Sequence, residues 1–211
     1  MANYKSFSME VAGREKEIEL LQNALLSYRS EFLAMYGRKR IGKTYLIRQV
    51  YQKQMAFDCS GLNKQKLPQQ LENFWFTLQE RNSKLKMAST PITWLQAFAL
   101  LREYITNIKG DKKKVIYLDE IPWFDTPKSG FLAALDNFWN HFCSKRNDIL
   151  LVMCGSAASW IIDKIINNKG GLHNRLTQSI RLLPFTLAET KAYLLMSRLS
   201  ITHKDIVELY L

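Results

Sequence analysis

The segment Gly37-Arg38-Lys39-Arg40-Ile41-Gly42-Lys43-Thr44 follows directly on an apolar run, residues 32–35, and no other stretch limits the fold of this chain so strongly. It has the form of a Walker A loop, a glycine-rich turn between a strand and a helix. The glycines let the backbone fold around an anion where a Cβ would collide, and the N–H groups that open the following helix point at phosphate oxygens. In that arrangement Lys43 reaches the β and γ phosphates. Thr44 offers its hydroxyl to Mg2+, a hard ion that keeps most of its waters and takes few protein oxygens. The loop residues Gly37, Arg38, Lys39, Arg40, Ile41, Gly42, Lys43 and Thr44, with Tyr45 beside them, are the candidate nucleotide-binding set.

Apolar periodicity on either side of the loop supplies the rest of the architecture. Helical spacing runs from Arg14 through Leu26 and predicts a first helix ending near Ser30. Further helices are predicted over 43–52, 69–79, 91–108 and 131–142, and strands over 32–36, 55–59, 115–118, 149–154 and 178–183. Helices alternate with strands from Phe32 to Leu183, the pattern of an α/β fold whose parallel sheet is covered on both faces. Two helical stretches, 187–196 and 203–211, follow. The second reaches Leu211 without a cap or polar tail, which predicts a fragment of a longer protein.

A second motif stands downstream in the right order. Val115-Ile116-Tyr117-Leu118 is a continuous apolar run of the kind that forms a strand buried on both faces, and Asp119-Glu120 stands at its end. Ligands of open α/β sheets bind at that edge. Read as a Walker B strand, it gives Asp119 to the metal beside Thr44 and Glu120 to the water that attacks the γ-phosphate. The competing structural reading makes the two carboxylates caps of the next turn. Ser156 ends the following strand candidate, where it either meets the γ-phosphate and its water or serves as an ordinary turn residue. Arg175 precedes the last strand candidate, where a guanidinium either stabilises γ-phosphate charge, in cis or across a subunit interface, or is a solvated loop residue. Such a finger is worth ~10³ to 10⁵ in rate. Arg181 competes for that role.

The chain has 211 residues, 47% of them hydrophobic, enough for one sizeable core. Its three cysteines, Cys59, Cys143 and Cys154, are odd in number and widely spaced, and predict buried, reduced thiols. The histidines His141, His173 and His203 are scattered, so neither a zinc site nor a Ser-His-Asp triad has support. No apolar run approaches the ~20 residues of a membrane helix, and a soluble cytoplasmic protein is expected. The formal charge of +11 points toward an acidic partner such as nucleic acid. The alternative is that Arg38, Lys39, Arg40 and Lys43 serve nucleotide while Lys112, Lys113 and Lys114 solvate a strand edge. Trp123 packs over the turn after Glu120 on this reading, as core rather than as a base-stacking platform.

Taken together, Gly13-Arg14-Glu15-x-Glu17, the loop from Gly37 to Thr44, Tyr117-Leu118-Asp119-Glu120-Ile121, Cys154-Gly155-Ser156, and Gly171-x-x-x-Arg175 with Pro184-Phe185 resemble an archaeal-type P-loop ATPase of the AAA+ and STAND group. The resemblance spans nearly the whole chain. It implies a five-stranded sheet of order 5-1-4-3-2, an ATPase core over 1–186, and over 187–211 the truncated beginning of a helical lid. It also implies that the region around Val11 to Arg14 lies near the adenine, which adds Arg14 to the nucleotide-binding set. ATP, Mg2+ and a longer, homo-oligomeric protein are the ligands and assembly it suggests. The activity expected is hydrolysis of ATP coupled to a conformational switch, with catalytic roles for Lys43, Glu120, Ser156 and Arg175. Two other readings are open: a nucleotide-gated regulatory or DNA-binding module with slow turnover, and a fold that retains ADP for structure alone.

Overall fold

The structure is a computed structural model that describes residues 11–82, 89–156, 158–167, 172, 175–196, 202, 205 and 206. The helical stretch expected over 203–211 lies outside these apart from Asp205 and Ile206, as do His173 and His203. In chain order the elements are α1 (Glu15–Leu26), β1 (Glu31–Tyr36), α2 (Lys43–Tyr51), β2 (Met55–Ser60), α3 (Leu67–Arg81), α4 (Trp94–Asn107), β3 (Lys114–Asp119), α5 (Phe131–His141), β4 (Ile149–Gly155), α6 (Ala158–Ile161), β5 (Gln178–Arg181) and α7 (Leu187–Met196). The five strands form one parallel sheet in the order β2-β3-β4-β1-β5, which read from its other edge is the 5-1-4-3-2 order expected.

Alternation along the strands divides the core into two layers. One face, with Phe32, Ile116, Leu118, Leu151 and Met153, packs under α3, α4 and α5. An aromatic cluster fills this layer: Trp94 meets Phe74 and Phe131 edge-on at 5.6 and 5.0 Å, and Phe124 stacks on Phe131 at 5.5 Å. The other face, with Leu33, Met35, Val115, Tyr117, Val152 and Cys154, packs against Leu21 of α1 and Leu46, Ile47 and Tyr51 of α2. β3 and β4 are buried along their whole length, as continuous apolar runs predict. All three cysteines are buried and unpaired, and burial raises their pKa values, that of Cys59 to about 12.

Several boundaries differ from the sequence reading. α1 ends at Leu26 because Ser27 turns extended, and Ser30 serves β4 instead: its hydroxyl donates to the Arg146 carbonyl at 2.9 Å and accepts from Ile149 N–H at 3.2 Å. α4 starts at Trp94 rather than 91 because Thr93 caps it, its side chain accepting from Gln96 N–H. Periodicity did not reveal α6, which continues as one π-helical turn, Ile162–Ile166. Two of the lysines assigned to a solvated edge are buried. Lys113 donates to the carbonyls of Ala24 and Arg29, and Lys114 to the Gly110 carbonyl and to Asp148 Oδ2 at 2.7 Å. Only Lys112 of the three is exposed. Among the described residues no helix is long and apolar enough to cross a membrane.

Candidate active site

The loop between β1 and α2 is shaped by its glycines and by what surrounds it. Gly37 has φ 153°, and a Cβ there would lie 2.3 Å from the Leu182 carbonyl oxygen at the end of β5. Gly42 precedes α2 with φ 91°, a conformation side chains rarely adopt. Arg40 also takes a left-handed conformation, and Arg38, Lys39 and Arg40 are exposed. Lys43, the first residue of α2, is buried, and its ammonium folds back onto the loop, donating to the carbonyls of Gly37 at 3.0 Å and Arg38 at 2.6 Å. Its charge therefore sits within the loop.

Beside it, four residues form a chain of contacts at the C-terminal edge of the sheet. Thr44 Oγ1 donates to Asp119 Oδ2 at 2.8 Å, and the other carboxylate oxygen accepts from Glu120 N–H at 2.9 Å. Glu120 has φ 46°, and its Oε2 accepts from Ser156 Oγ at 3.2 Å. Asp119 is buried and Ser156 half-buried. The order of the sheet makes this possible, because β4 lies between β1 and β3 and brings Ser156 to the carboxylates. A hydroxyl and a carboxylate at hydrogen-bond distance are the hard oxygen donors that Mg2+ takes. Among the described residues no larger cluster of His, Cys, Asp and Glu is assembled.

On the β5 side of the loop a cleft of about 520 Å³ is lined by Val11, Ala12, Arg14, Arg40, Ile41, Gly42, Tyr45, Leu46, Pro184, Phe185 and Tyr193. Arg14 is buried in a left-handed conformation. Its Nη2 donates to the Leu183 carbonyl at 2.7 Å, its guanidinium lies 4.4 Å over the Phe185 ring, and Glu189 of α7 is 3.9 Å from Nη1. Burial acts to raise the Glu189 pKa, but the carboxylate accepts from Thr186 N–H and Oγ1, and these bonds together with the Arg14 charge bring it below the usual value. Sequence reasoning missed Glu189 and Tyr193; the signal available was the Thr186-x-x-Glu189 capping box at the head of α7. Trp123 is half-buried in the turn after Glu120, its Cβ beside Gly61.

Arg175 stands at the start of the segment that leads into β5. It lies two residues before Thr177, whose N–H donates to the Phe32 carbonyl at the start of β1. Four residues of strand, ~13 Å at ~3.3 Å per residue, separate that level from Tyr36 and the loop. Arg181, in contrast, is exposed and pairs with Tyr36 at the loop edge.

The sequence pattern of the family described as "ATPase domain predominantly from Archaea" matches residues 12–199. An uncharacterized protein of Methanocaldococcus jannaschii is 24% identical over 183 residues, 85% of this chain and 37% of that relative. The fold is similar to a Walker-type ATPase of Pyrococcus abyssi (TM-score 0.66, 18% identity, 94% of this chain and 62% of that one). It is also similar to the Aeropyrum pernix ORC2 protein, solved as ADPNP-ADP complexes (0.59, 18%, 92% and 53%), and to CDC6P of Pyrobaculum aerophilum (0.60, 17%, 93% and 51%). The chain thus spans less than two thirds of the length of each of these proteins. At these identities the structural likenesses establish a shared P-loop NTPase fold, and the family match over most of the chain adds the assignment: this chain belongs to the family of ATPase domains found predominantly in Archaea.

Proposed function

We propose that the chain binds ATP with Mg2+ and hydrolyses it, and that the hydrolysis switches the orientation of a helical lid beginning at residue 187. The observation that carries this reading is the contact chain Thr44–Asp119–Glu120–Ser156 beside a loop that encloses Lys43. Lys43 exchanges its loop carbonyls for the β and γ phosphate oxygens. The backbone of Gly37 to Thr44, with Arg38, Lys39, Arg40 and Ile41, wraps the phosphates. Thr44 and Asp119 hold Mg2+, which when bound neutralises charge on the β and γ oxygens. Glu120 orients the attacking water, and Ser156 keeps the carboxylate in place and contacts the γ-phosphate or that water. The base and ribose lie in the cleft between Arg14, Tyr45 and Phe185, whose volume suits a nucleoside. An adenine nucleotide is favoured by the family and by the ADPNP-ADP complexes of the ORC2 protein. Arg175 acts on the phosphate of a neighbouring copy in the full-length assembly.

Calorimetry with ATP and Mg2+ tests this. The wild type binds, Lys43→Ala does not, and Glu120→Gln binds normally while turnover falls ~10² to 10⁴-fold. Equal binding by Lys43→Ala would sink the reading. For Arg175, mixing inactive Arg175→Ala and Glu120→Gln subunits restores part of the turnover; strictly additive loss would remove the role in trans. A second reading, a nucleotide-gated DNA-binding module, draws on the +11 charge and the exposed Arg38, Lys39 and Arg40. It requires DNA affinity that falls steeply with salt, and a flat response counts against it.

A further inference from the structure

Tyr117 points to the same side of β3 as Val115, into the layer covered by α2. It is fully buried, and its hydroxyl has no hydrogen-bond partner. The hydroxyl of Thr44 and the thiol of Cys154 lie beside it in weak interaction with the phenol, but neither reaches full hydrogen-bond distance and angle. Buried phenols normally find a partner, because an unpaired donor loses its water for nothing. Phenylalanine would fill the same volume without that cost. The hydroxyl lies under the first turn of α2, beside a candidate metal ligand.

We propose that Tyr117 is a positioning residue for Thr44: when the loop closes on Mg2+ and nucleotide, the phenol donates to Thr44 Oγ1 and fixes the direction of its remaining lone pair. This rests on the reading of Thr44 as a ligand of the cation. A threonine hydroxyl has one proton and two lone pairs. The proton of Thr44 already goes to Asp119 Oδ2 at 2.8 Å. A second hydrogen bond, received from Tyr117, occupies one lone pair and leaves a single one for the cation, so the rotamer is held from two sides. Lys43 is folded onto the carbonyls of Gly37 and Arg38. Phosphate draws Lys43 away from them, and Thr44, the next residue of the same helical turn, moves with it. That movement brings Oγ1 within reach of the waiting donor.

The test is Tyr117→Phe, with two readouts besides turnover. The first is the thermal midpoint of the free protein, which is unchanged or higher in the variant, since an unpaired buried hydroxyl has been removed. The second is the factor by which Mg2+ tightens ATP binding, measured by calorimetry with Mg2+ and with EDTA. This factor falls about fivefold in Tyr117→Phe, the worth of one hydrogen bond, while affinity in EDTA stays at the wild-type value. Cys154→Ala keeps the wild-type Mg2+ factor. The proposal is overturned by an unchanged factor in Tyr117→Phe, by a lowered midpoint of the free variant, or by a loss in Cys154→Ala equal to that in Tyr117→Phe, which would make the thiol the acceptor. A wild type whose ATP affinity does not respond to Mg2+ refutes the metal site itself, so the two failures are distinguishable.

Discussion

Replacing Gly37 by alanine separates two things a phosphate-loop glycine does, because the other loop glycine provides a control. At Gly37 the new Cβ would stand 2.3 Å from the Leu182 carbonyl oxygen and 2.8 Å from Ile41 Cδ1. The Ile41 methyl can rotate away. The carbonyl cannot, because the adjacent Leu182 N–H is bonded to the Tyr36 carbonyl at 2.8 Å and holds the chain beside β1. Relief means parting β1 from the end of β5 by roughly an ångström, an overpacking strain of ~1–3 kcal/mol. The φ of 153° adds backbone strain of ~1–3 kcal/mol. The sum, about 4 kcal/mol, is a large part of the ~5–15 kcal/mol that holds a domain together. At Gly42 an added Cβ meets nothing within 4 Å, so only the φ of 91° is felt, at ~1–3 kcal/mol. Urea unfolding of both variants, with equal m-values, reads the difference directly. Gly37→Ala is expected to be less stable than Gly42→Ala by about 2 kcal/mol. Equal losses, or a larger loss at Gly42, would show that the Leu182 contact does not shape the loop.

Other consequences concern ion pairs and hydrogen bonds elsewhere in the fold. Asp148 is held at a pKa of about 2 by hydrogen bonds from Arg146 and Lys114 against the opposing effect of burial. Its folded pKa is depressed, so its stabilisation is complete above the ordinary value of 3.8 and is lost as pH falls toward 2. Asp148→Asn should flatten the stability profile in that window and cost ~1–2 kcal/mol at neutral pH. Tyr51→Phe removes the hydroxyl that donates to the Leu21 carbonyl at 2.9 Å between α2 and α1, and should cost about 1 kcal/mol in urea unfolding. Arg14→Ala deletes the contacts to Leu183, Phe185 and Glu189, and no residue of α7 is itself buried. Amide exchange in α7 should accelerate roughly tenfold while β3 and β4 stay protected; uniform acceleration would mean that Arg14 supports the whole core instead.

The elements that carry the site were legible because each leaves a local mark. The short apolar runs ending at Leu118 and Cys154 have the form of buried strands, and the acidic pair and Ser156 stand at their ends. What the sequence could not give was set by partners far along the chain. Lys113 looks like a solvated cation until its acceptors, the carbonyls of Ala24 and Arg29, are known, and these are 89 and 84 residues away. Arg175 reads as a finger because it is an arginine in a glycine-rich loop, but its sheet edge is fixed by Thr177 pairing with Phe32, a register that no spacing encodes. The π turn after Ser156 has no period of its own to detect.

One geometric detail explains why two adjacent carboxylates can have different partners here. Successive residues of a strand point to opposite faces, so Asp119, in step with Val115 and Tyr117, belongs to the layer of α2 and meets Thr44. Continued extension would send Glu120 into the apolar layer of Ile116 and Leu118. Instead the chain turns at Glu120 into a left-handed conformation, φ 46° and ψ 48°, and the carboxylate meets Ser156 at the end of β4. Non-glycine residues adopt that conformation at a cost, most so when they are β-branched. The Asp119 carboxylate offsets part of that cost by accepting the Glu120 N–H at 2.9 Å. Glu120→Gln keeps the backbone and the reach of the side chain, so a change in turnover reports on charge. Glu120→Val strains the turn itself, and its effect would spread to Asp119 and Thr44; a loss of Mg2+-dependent binding in that variant alone would locate the fault in the backbone rather than in the carboxylate.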